Sequence, residues 1–310
     1  MTENGISIKD AEQGLHEKHT VVALGMFDGM HIGHKKLIDT AVLIANSRGL
    51  VPAVYTFSNH PQETFGVNVK RLCTNDMRRS IMRTLGIVRV EEVEFTGSIR
   101  SSSPERFIEL LIRTMNPDVI VAGFNYTFGR GKTGNSDLLQ KLAFKNGVDA
   151  AIIPSVHIGK QPVSSTRIRS MIEKGDVKNA QELLGRAYSL EGVVCENKRM
   201  GHLIGFPTAN IELDMRLVLP ADGVYITLAE VMGFAYPAVT NIGSNPTVGG
   251  TKTTVETHIL SFDEDIYGQK LNVRFVKRLR PVRKFGSIEE LKAQIEMDTH
   301  SAKDYFGGIR

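Results

Sequence analysis

The segment Gly25-Met-Phe-Asp-Gly-Met-His-Ile-Gly-His34 concentrates residue types that can hold a phosphate. Glycines at 25 and 29 permit a tight turn and a close approach of backbone to ligand. Gly33 suits the packing of a helix start against the preceding strand. Backbone N–H groups at such a start, aided by the helix dipole, attract anions. His31 and His34, three residues apart, are expected on one side of that turn, where imidazoles donate to phosphate oxygens without acting as nucleophiles. Val163-Ser-Ser-Thr-Arg-Ile-Arg169 is a second anion-binding corner: the hydroxyls of Ser164, Ser165 and Thr166 precede a helical stretch at 168–173 and are joined by Arg167 and Arg169. Gly123-Phe-Asn-Tyr-Thr-Phe-Gly129, followed by Gly131 and Gly134, suits a loop that wraps a flat ligand, with Asn125 placed to bond ribose or phosphate. Alone, the glycines of the 123–134 loop read better as a structural turn, and Ser-Ser-Thr is more often just a helix cap.

Such segments act together only if strand ends bring them together. The apolar run at 21–25 reads as a buried parallel strand, with further strands at 51–57, 90–95, 119–123 and 150–153. Helices are expected at 36–45 and 78–85, after Ser103-Pro104-Glu105, and at 137–146. This alternation predicts a parallel sheet covered by helices on both faces, with ligands at the carboxyl ends of its strands. Residues 25–34, 58–61 and 123–134 fall at those ends. Beyond Leu184 the pattern changes to short β-like runs at 191–195, 223–230, 236–242, 254–261 and 271–278, which predict a small antiparallel barrel. Ser287 and Glu290 have capping-box spacing for a final helix, expected to pack on the barrel through Ile288, Leu291, Ile295, Tyr305 and Phe306. The expected fold is therefore α/β: a parallel sheet over residues 1–186, then an antiparallel β-barrel with a terminal helix over 187–310.

The 38 basic and 34 acidic residues leave a net charge of +4, too mild for a nucleic-acid scaffold but suited to an anionic small ligand. Cys73 and Cys195 have no Cys-x-x-Cys spacing, which argues against a disulfide framework or zinc site and for a reducing compartment. Residues 1–18 lack the apolar core of a signal peptide, and no apolar run reaches about 18 residues. The expectation is a soluble cytoplasmic protein, a monomer or weak homo-oligomer, with neither nucleic acid nor membrane as partner.

With Phe27-Asp28-Gly29 ahead of it, His31-Ile-Gly-His34 resembles the His-x-Gly-His nucleotidyltransferases of Rossmann-like fold. That resemblance implies in-line attack on the α-phosphorus of a nucleoside triphosphate, with catalysis mainly by positioning and charge stabilisation. It makes His31 and His34 catalytic, and Gly25, Phe27, Asp28, Gly33, Asn125, Ser164, Ser165, Thr166, Arg167 and Arg169 ATP-binding. Thr56-Phe-Ser-Asn-His-Pro61 resembles a FAD synthetase segment, commonly Thr-Phe-x-Pro-His-Pro, with Asn59 in place of proline. Together with Phe128 in the family's Gly-x-Asp/Asn-Phe-x-Phe-Gly loop, it implies flavin contacts by Asn59, His60, Pro61 and Phe128.

In the second half, Gly205-Phe-Pro-Thr-Ala-Asn210 resembles the Pro-Thr-Ala-Asn motif of riboflavin kinase, and Asn241-Ile-Gly-Ser-Asn-Pro-Thr247 and Val255-Glu-Thr-His-Ile-Leu260 match as well. The resemblance implies that Gly201, Gly205, Pro207, Thr208 and Asn210 hold Mg2+-ATP, with Thr208 and Asn210 at the metal. Glu256 then accepts the proton of the ribityl 5′-hydroxyl, since a weak alcohol nucleophile needs a positioned base. Two departures stand out. Glu196-Asn-Lys-Arg-Met-Gly-His202 has Asn197 for a glycine and His202 for the usual basic residue, with Lys198 and Arg199 nearby, and Ser261 replaces the usual aspartate. From about Val21 to Phe306 the chain is similar to the bacterial bifunctional riboflavin kinase/FAD synthetase family. This implies riboflavin, FMN, FAD and ATP as substrates and products. One alternative is an FMN adenylyltransferase with a catalytically impaired kinase-like barrel. A nucleotidyltransferase acting on pantetheine phosphate or nicotinamide mononucleotide is opposed by the second-half motifs. A flavin sensor or RNA-binding regulator would call for a basic aromatic surface that the sequence lacks.

Overall fold

The computed structural model describes residues 19–195, 205–247 and 250–308, without the side chains of 244–247 and 250–252. Its contacts divide the chain into two compact units, one of residues 1–69 and 75–163, the other of 70–74 and 164–310.

The first unit runs β1 (Thr20–Leu24), α1 (Ile32–Arg48), β2 (Val51–Phe57), α2 (Asn75–Thr84), β3 (Arg89–Val93), α3 (Gly97–Ser101), α4 (Pro104–Met115), β4 (Pro117–Gly123), α5 (Ser136–Lys145), β5 (Asp149–Ile153) and the short hairpin β6 (His157–Ile158) and β7 (Gln161–Pro162). The five long strands form one parallel sheet in the order β3-β2-β1-β4-β5. Every residue of β1 is buried. Its side chains alternate as a strand requires. Val21 and Ala23 face a core with Ile38, Ala41 and Met82, and Val22 and Leu24 face one with Ile108, Leu111 and Leu139. Covered faces on both sides explain why the strand sequence is continuously apolar rather than alternating. Ser103 caps α4 through the Arg106 N–H at 3.2 Å, with Pro104 at the first helical position, as the sequence predicts.

The second unit begins with α6 (Ser165–Glu173) and α7 (Val177–Leu184) and continues into β8 (Tyr188–Cys195), β9 (Ala209–Glu212), β10 (Gly223–Val231), β11 (Phe234–Thr247), β12 (Gly250–Ile259), β13 (Lys270–Arg280) and α8 (Ile288–Gly307). The six strands close into an antiparallel barrel in the order β10-β11-β12-β9-β8-β13. Its interior holds Leu190, Tyr225, Ala229, Leu271, Val273 and Phe275, with a hydrogen-bonded row of buried threonines: Thr227 to Thr240 at 2.8 Å and Thr240 to Thr257 at 3.0 Å. Residues 70–74 pack with this unit. Arg71 bonds across to Arg216 and Val218 through its backbone in a parallel bridge with Leu217.

Several elements differ from the sequence reading, among them α3 and the hairpin of β6 and β7, which it did not expect. β9 was not expected because four residues are too few to show a period; α7 was not expected either, although Val177, Ala180, Leu183 and Leu184 recur at helical spacing on its buried face. Helix α6 starts at Ser165 rather than 168. The terminal helix is capped by Ser287 as expected, but its buried face is Gln294, Asp298 and Ala302, and Ile288 is exposed. Asp298 explains this. The Arg280 guanidinium meets its carboxylate at 2.7 and 3.1 Å, and the Gln294 amide donates at 2.9 Å. Polar side chains are buried there because they satisfy one another. Phe306 does pack where expected, against the cluster of Val224, Ile226 and Val239.

Removing one partner of a buried pair strands the other charge. Asp298→Ala is expected to lower unfolding free energy by about 3 kcal/mol, measured by urea denaturation. Asp39→Ala, which breaks the exposed Lys35–Asp39 pair, is expected to change it by less than about 0.5 kcal/mol.

Candidate active sites

In the first unit, the segments at 25–34, 58–61 and 123–134 leave the carboxyl ends of β1, β2 and β4, three strands adjacent in the sheet. The crevice between β1 and β4, where strand order reverses, is where such sheets receive ligands.

The turn after β1 is locally strained. Phe27 and Met30 have φ of 52° and 44°, a left-handed backbone that non-glycine residues seldom adopt. Such residues cost about 1–3 kcal/mol each. Phe27 is fully buried and Met30 nearly so, both in the core beneath α1, and full burial of a large apolar side chain contributes about 1.5–3 kcal/mol. The two effects are of similar size, so the core can hold the turn in place. Asp28 is also buried, at 8% exposure.

His31 is the N-cap of α1. Its Nδ1 accepts from the His34 N–H at 3.2 Å. The two imidazoles stack, with centroids 3.6 Å apart and planes 13° apart, and Phe27 meets His34 edge-on at 5.3 Å. Glycine at 33 makes this possible, because a Cβ there would lie 3.2 Å from the His31 ring. Gly25 plays the same part for Phe27, whose Cζ would be 3.0 Å from an added Cβ. Because Nδ1 of His31 accepts, its neutral tautomer carries the proton on Nε2, which makes Nε2 a donor.

Asn59 exchanges both bonds with the Phe95 backbone, donating at 3.2 Å and accepting at 2.7 Å, and so ties the segments after β2 and β3 together. His60 caps the short 3-10 helix Pro61–Phe65 by accepting from the Gln62 N–H at 3.2 Å, with Pro61 at its first position. Asn125 is exposed on the loop after β4. Phe128 is not an exposed ring. It is 6% exposed, sits in the core beside Phe107 and Tyr126, and is bridged to Gly134. Burial raises the pKa of the Tyr126 phenol, with Tyr55 adding to the effect.

In the second unit, Ser164 caps α6 by accepting from the Arg167 N–H at 3.3 Å. Ser165, Arg167 and Arg169 are partly buried and Thr166 is exposed.

The barrel brings the kinase-like motifs together. β9 carries the end of Pro207-Thr-Ala-Asn210, and Asn210 lies directly opposite Glu256 of β12, which lies opposite Asn241 of β11. Directly opposed residues of an antiparallel pair have Cβ atoms about 4.5–5.5 Å apart. Thr257 and Thr240, next along the strands, face the interior, so alternation puts Asn210, Glu256 and Asn241 on the outer face. Burial raises the pKa of the Glu256 carboxyl above the ordinary glutamate range, while a hydrogen bond with Thr254 pulls the other way. Gly205 is exposed with φ 84°, and Pro207 and Thr208 are partly buried. Gly201, like Asn197 and His202, lies outside the described residues. Among the described residues no group of three or more His, Cys, Asp or Glu is arranged for a metal. Thr208 and Asn210 offer oxygen donors, the type that suits Mg2+, which commonly binds through few protein ligands and substrate phosphates.

Sequence reasoning gave His258 no role. Its Nδ1 donates to the Pro207 carbonyl at 2.8 Å and its ring meets Phe206 edge-on at 5.6 Å, so it pins the approach to Thr208 and Asn210 onto β12. Its position two residues after Glu256, on the same face of the strand, was the available signal.

Together the two units fit a phosphate-transferring enzyme: a glycine- and histidine-bearing turn at a helix start on a parallel sheet, and a carboxylate opposite an asparagine on a barrel. Residues 14–167 match the family model for FAD synthetase and residues 184–306 that for riboflavin kinase. The chain is 37% identical over 298 residues to the bifunctional riboflavin kinase/FMN adenylyltransferase of Bacillus subtilis strain 168, covering 94% of each chain. It is 32% identical to that of Escherichia coli K12 over 93% of each. A crystal structure described as a macrolide-efflux protein from Streptococcus pneumoniae is similar at a TM-score of 0.86 and 33% identity, over 93% of this chain and 94% of that one. The chain belongs to the bifunctional riboflavin kinase/FMN adenylyltransferase family. Among the described residues no helix is long and apolar enough to cross a membrane.

Because His31 caps α1, His31→Ala is expected to lower unfolding free energy by about 1 kcal/mol, whereas His31→Asn, which can cap, is expected to leave it within about 0.5 kcal/mol. Urea denaturation of the two variants measures the difference.

Proposed function

We propose that the chain makes FAD in two ATP-dependent steps, phosphorylating riboflavin on the barrel and adenylylating FMN on the parallel sheet. The observation that carries the two-step reading is the register of β9 on β12, which sets Asn210 opposite Glu256. The match of both halves to their family models favours it over a silent barrel. Residues 187–310 are assigned the first step and residues 1–186 the second.

In the first step Glu256 takes the proton of the ribityl 5′-hydroxyl. The oxygen attacks the γ-phosphorus of ATP, the bond to ADP breaks, and FMN forms. Its raised pKa suits a base for so weakly acidic a group. Mg2+ bound near Thr208 and Asn210 would offset charge on the transferred phosphoryl. Gly205 and Pro207 shape the ATP-binding segment, to which the family resemblance also assigns Gly201, and His258 fixes its approach.

In the second step an oxygen of the FMN phosphate attacks the α-phosphorus of another ATP, and the in-line bond to pyrophosphate breaks. The protein supplies positioning and positive field: N–H groups at the start of α1, the Nε2 donor of His31, and His34 stacked upon it. Gly25, Phe27, Asp28 and Gly33 build the turn, and Asn125 reaches the nucleotide from its loop. The family resemblance also assigns Ser164, Ser165, Thr166, Arg167 and Arg169 to ATP binding, and Ser164 holds the helix start that carries them. Asn59, His60 and Pro61 form the flavin-side segment, and Phe128 supports its loop from below. A cytoplasmic location is part of this reading, as the cysteine pattern suggests. A small-molecule enzyme of this kind needs no nucleic-acid or membrane partner and works as a monomer or weak homo-oligomer.

Incubation with riboflavin, Mg2+ and ATP, with the three flavins resolved over time, tests the assignment. Wild type is expected to pass riboflavin through FMN to FAD. Glu256→Gln is expected to slow FMN formation by about 10²–10⁴-fold while converting supplied FMN to FAD normally. His34→Ala is expected to do the reverse. A deprotonated base is required, so the acid limb of riboflavin phosphorylation is expected above the ordinary glutamate value, with activity falling as pH drops through it. Equal loss of both activities in either variant would refute the division of labour.

A further inference from the structure

Arg78, on α2, is only 4% exposed and its guanidinium spans three strand ends. Nη1 donates to the carbonyl of Met26, just beyond β1, at 2.8 Å, and Nη2 donates to the carbonyl of Phe57, the last residue of β2, at 2.8 Å. Nη2 also pairs with the Glu92 carboxylate on β3. Glu92 pairs in turn with Arg79, and Arg79 with Asp76, so two positive and two negative charges form a neutral chain. The Thr56 hydroxyl approaches the same Met26 carbonyl at 3.5 Å.

Met26 directly precedes Phe27, where the left-handed backbone of the phosphate turn begins. Burial of Phe27 and Met30 holds that turn from below, while Arg78 holds its first carbonyl from the side. A planar fork with fixed donors can satisfy two carbonyls and a carboxylate at once, which an ammonium on a flexible stem does not reproduce. We infer that Arg78 is a positioning residue for adenylyl transfer, fixing residues 26–34 in register with the β2 end. This rests on the assignment of that turn to the adenylyl-transfer step.

The test uses full-length Arg78→Lys. It is expected to lower kcat for FAD formation about 10–100-fold, as slight misplacement of a positioned group does. KM for ATP and FMN is expected to stay within about threefold, the pattern of an interaction expressed in the transition state. Riboflavin phosphorylation by the same preparation is expected to be unchanged, and hydrogen exchange of the amides at 26–34 to accelerate. Exchange at wild-type rate, kcat within about twofold of wild type, or a parallel fall in the kinase activity would each overturn the inference. If Arg78→Lys does not fold, Glu92→Gln takes its place: faster exchange at 26–34 with a smaller fall in kcat supports the inference, and unchanged exchange overturns it. A wild-type enzyme that makes no FAD sinks the site assignment, whereas the exchange measurement reads the Arg78 restraint independently of turnover.

Discussion

β1 is paired on both sides, to β2 and to β4, and buried on both faces. A strand so enclosed can leave its sheet only by a sharp turn at its carboxyl end, and the helix that follows must return over the sheet. The geometry proposed to bind phosphate grows from that constraint. The turn takes a left-handed backbone at Phe27, Gly29 and Met30, apolar burial balances the strain, and α1 starts with its N–H groups at the open end of the sheet. His31 then has a double part: its Nδ1 completes the helix cap, and the tautomer this selects makes its Nε2 a donor. A structural role and a proposed chemical one meet in one side chain.

The barrel reaches a comparable result by register. Antiparallel pairing alternates faces, so the buried threonines inside fix which neighbours face outward. Asn241, Glu256 and Asn210 come from three separate sequence segments, yet line up because β11, β12 and β9 are adjacent. A one-residue slip of β9 would move Asn210 off Glu256 and to the other face. His258 opposes such a slip by holding Pro207 to β12.

Much of this was legible in the sequence. The apolar strands, the helix entrances at Ser103 and Ser287 and the alternation of elements followed from local rules, because each is set by residues close in the chain. The His-x-Gly-His turn was legible for the same reason. What escaped depends on partners far apart. Arg78 reads as one more polar helix residue until Met26, Phe57 and Glu92 are seen around it. The buried face of the terminal helix was misjudged, since Asp298 becomes a core residue only when Arg280 arrives from β13. Phe128 looked like a ligand-facing ring, but its loop folds inward through the bridge to Gly134. The strand at Ala209–Glu212 is too short to announce itself by period, though its motif was conspicuous.

The central claim is that two phosphorus atoms of ATP are attacked at two different sites. Supplying riboflavin and Mg2+ with ATP labelled at either the γ- or the α-phosphorus tests it most directly. Label from the γ position should enter FMN and then persist in FAD, while label from the α position should enter FAD and never FMN. Flavin products that carry no α label, or FMN that acquires it, would contradict the account.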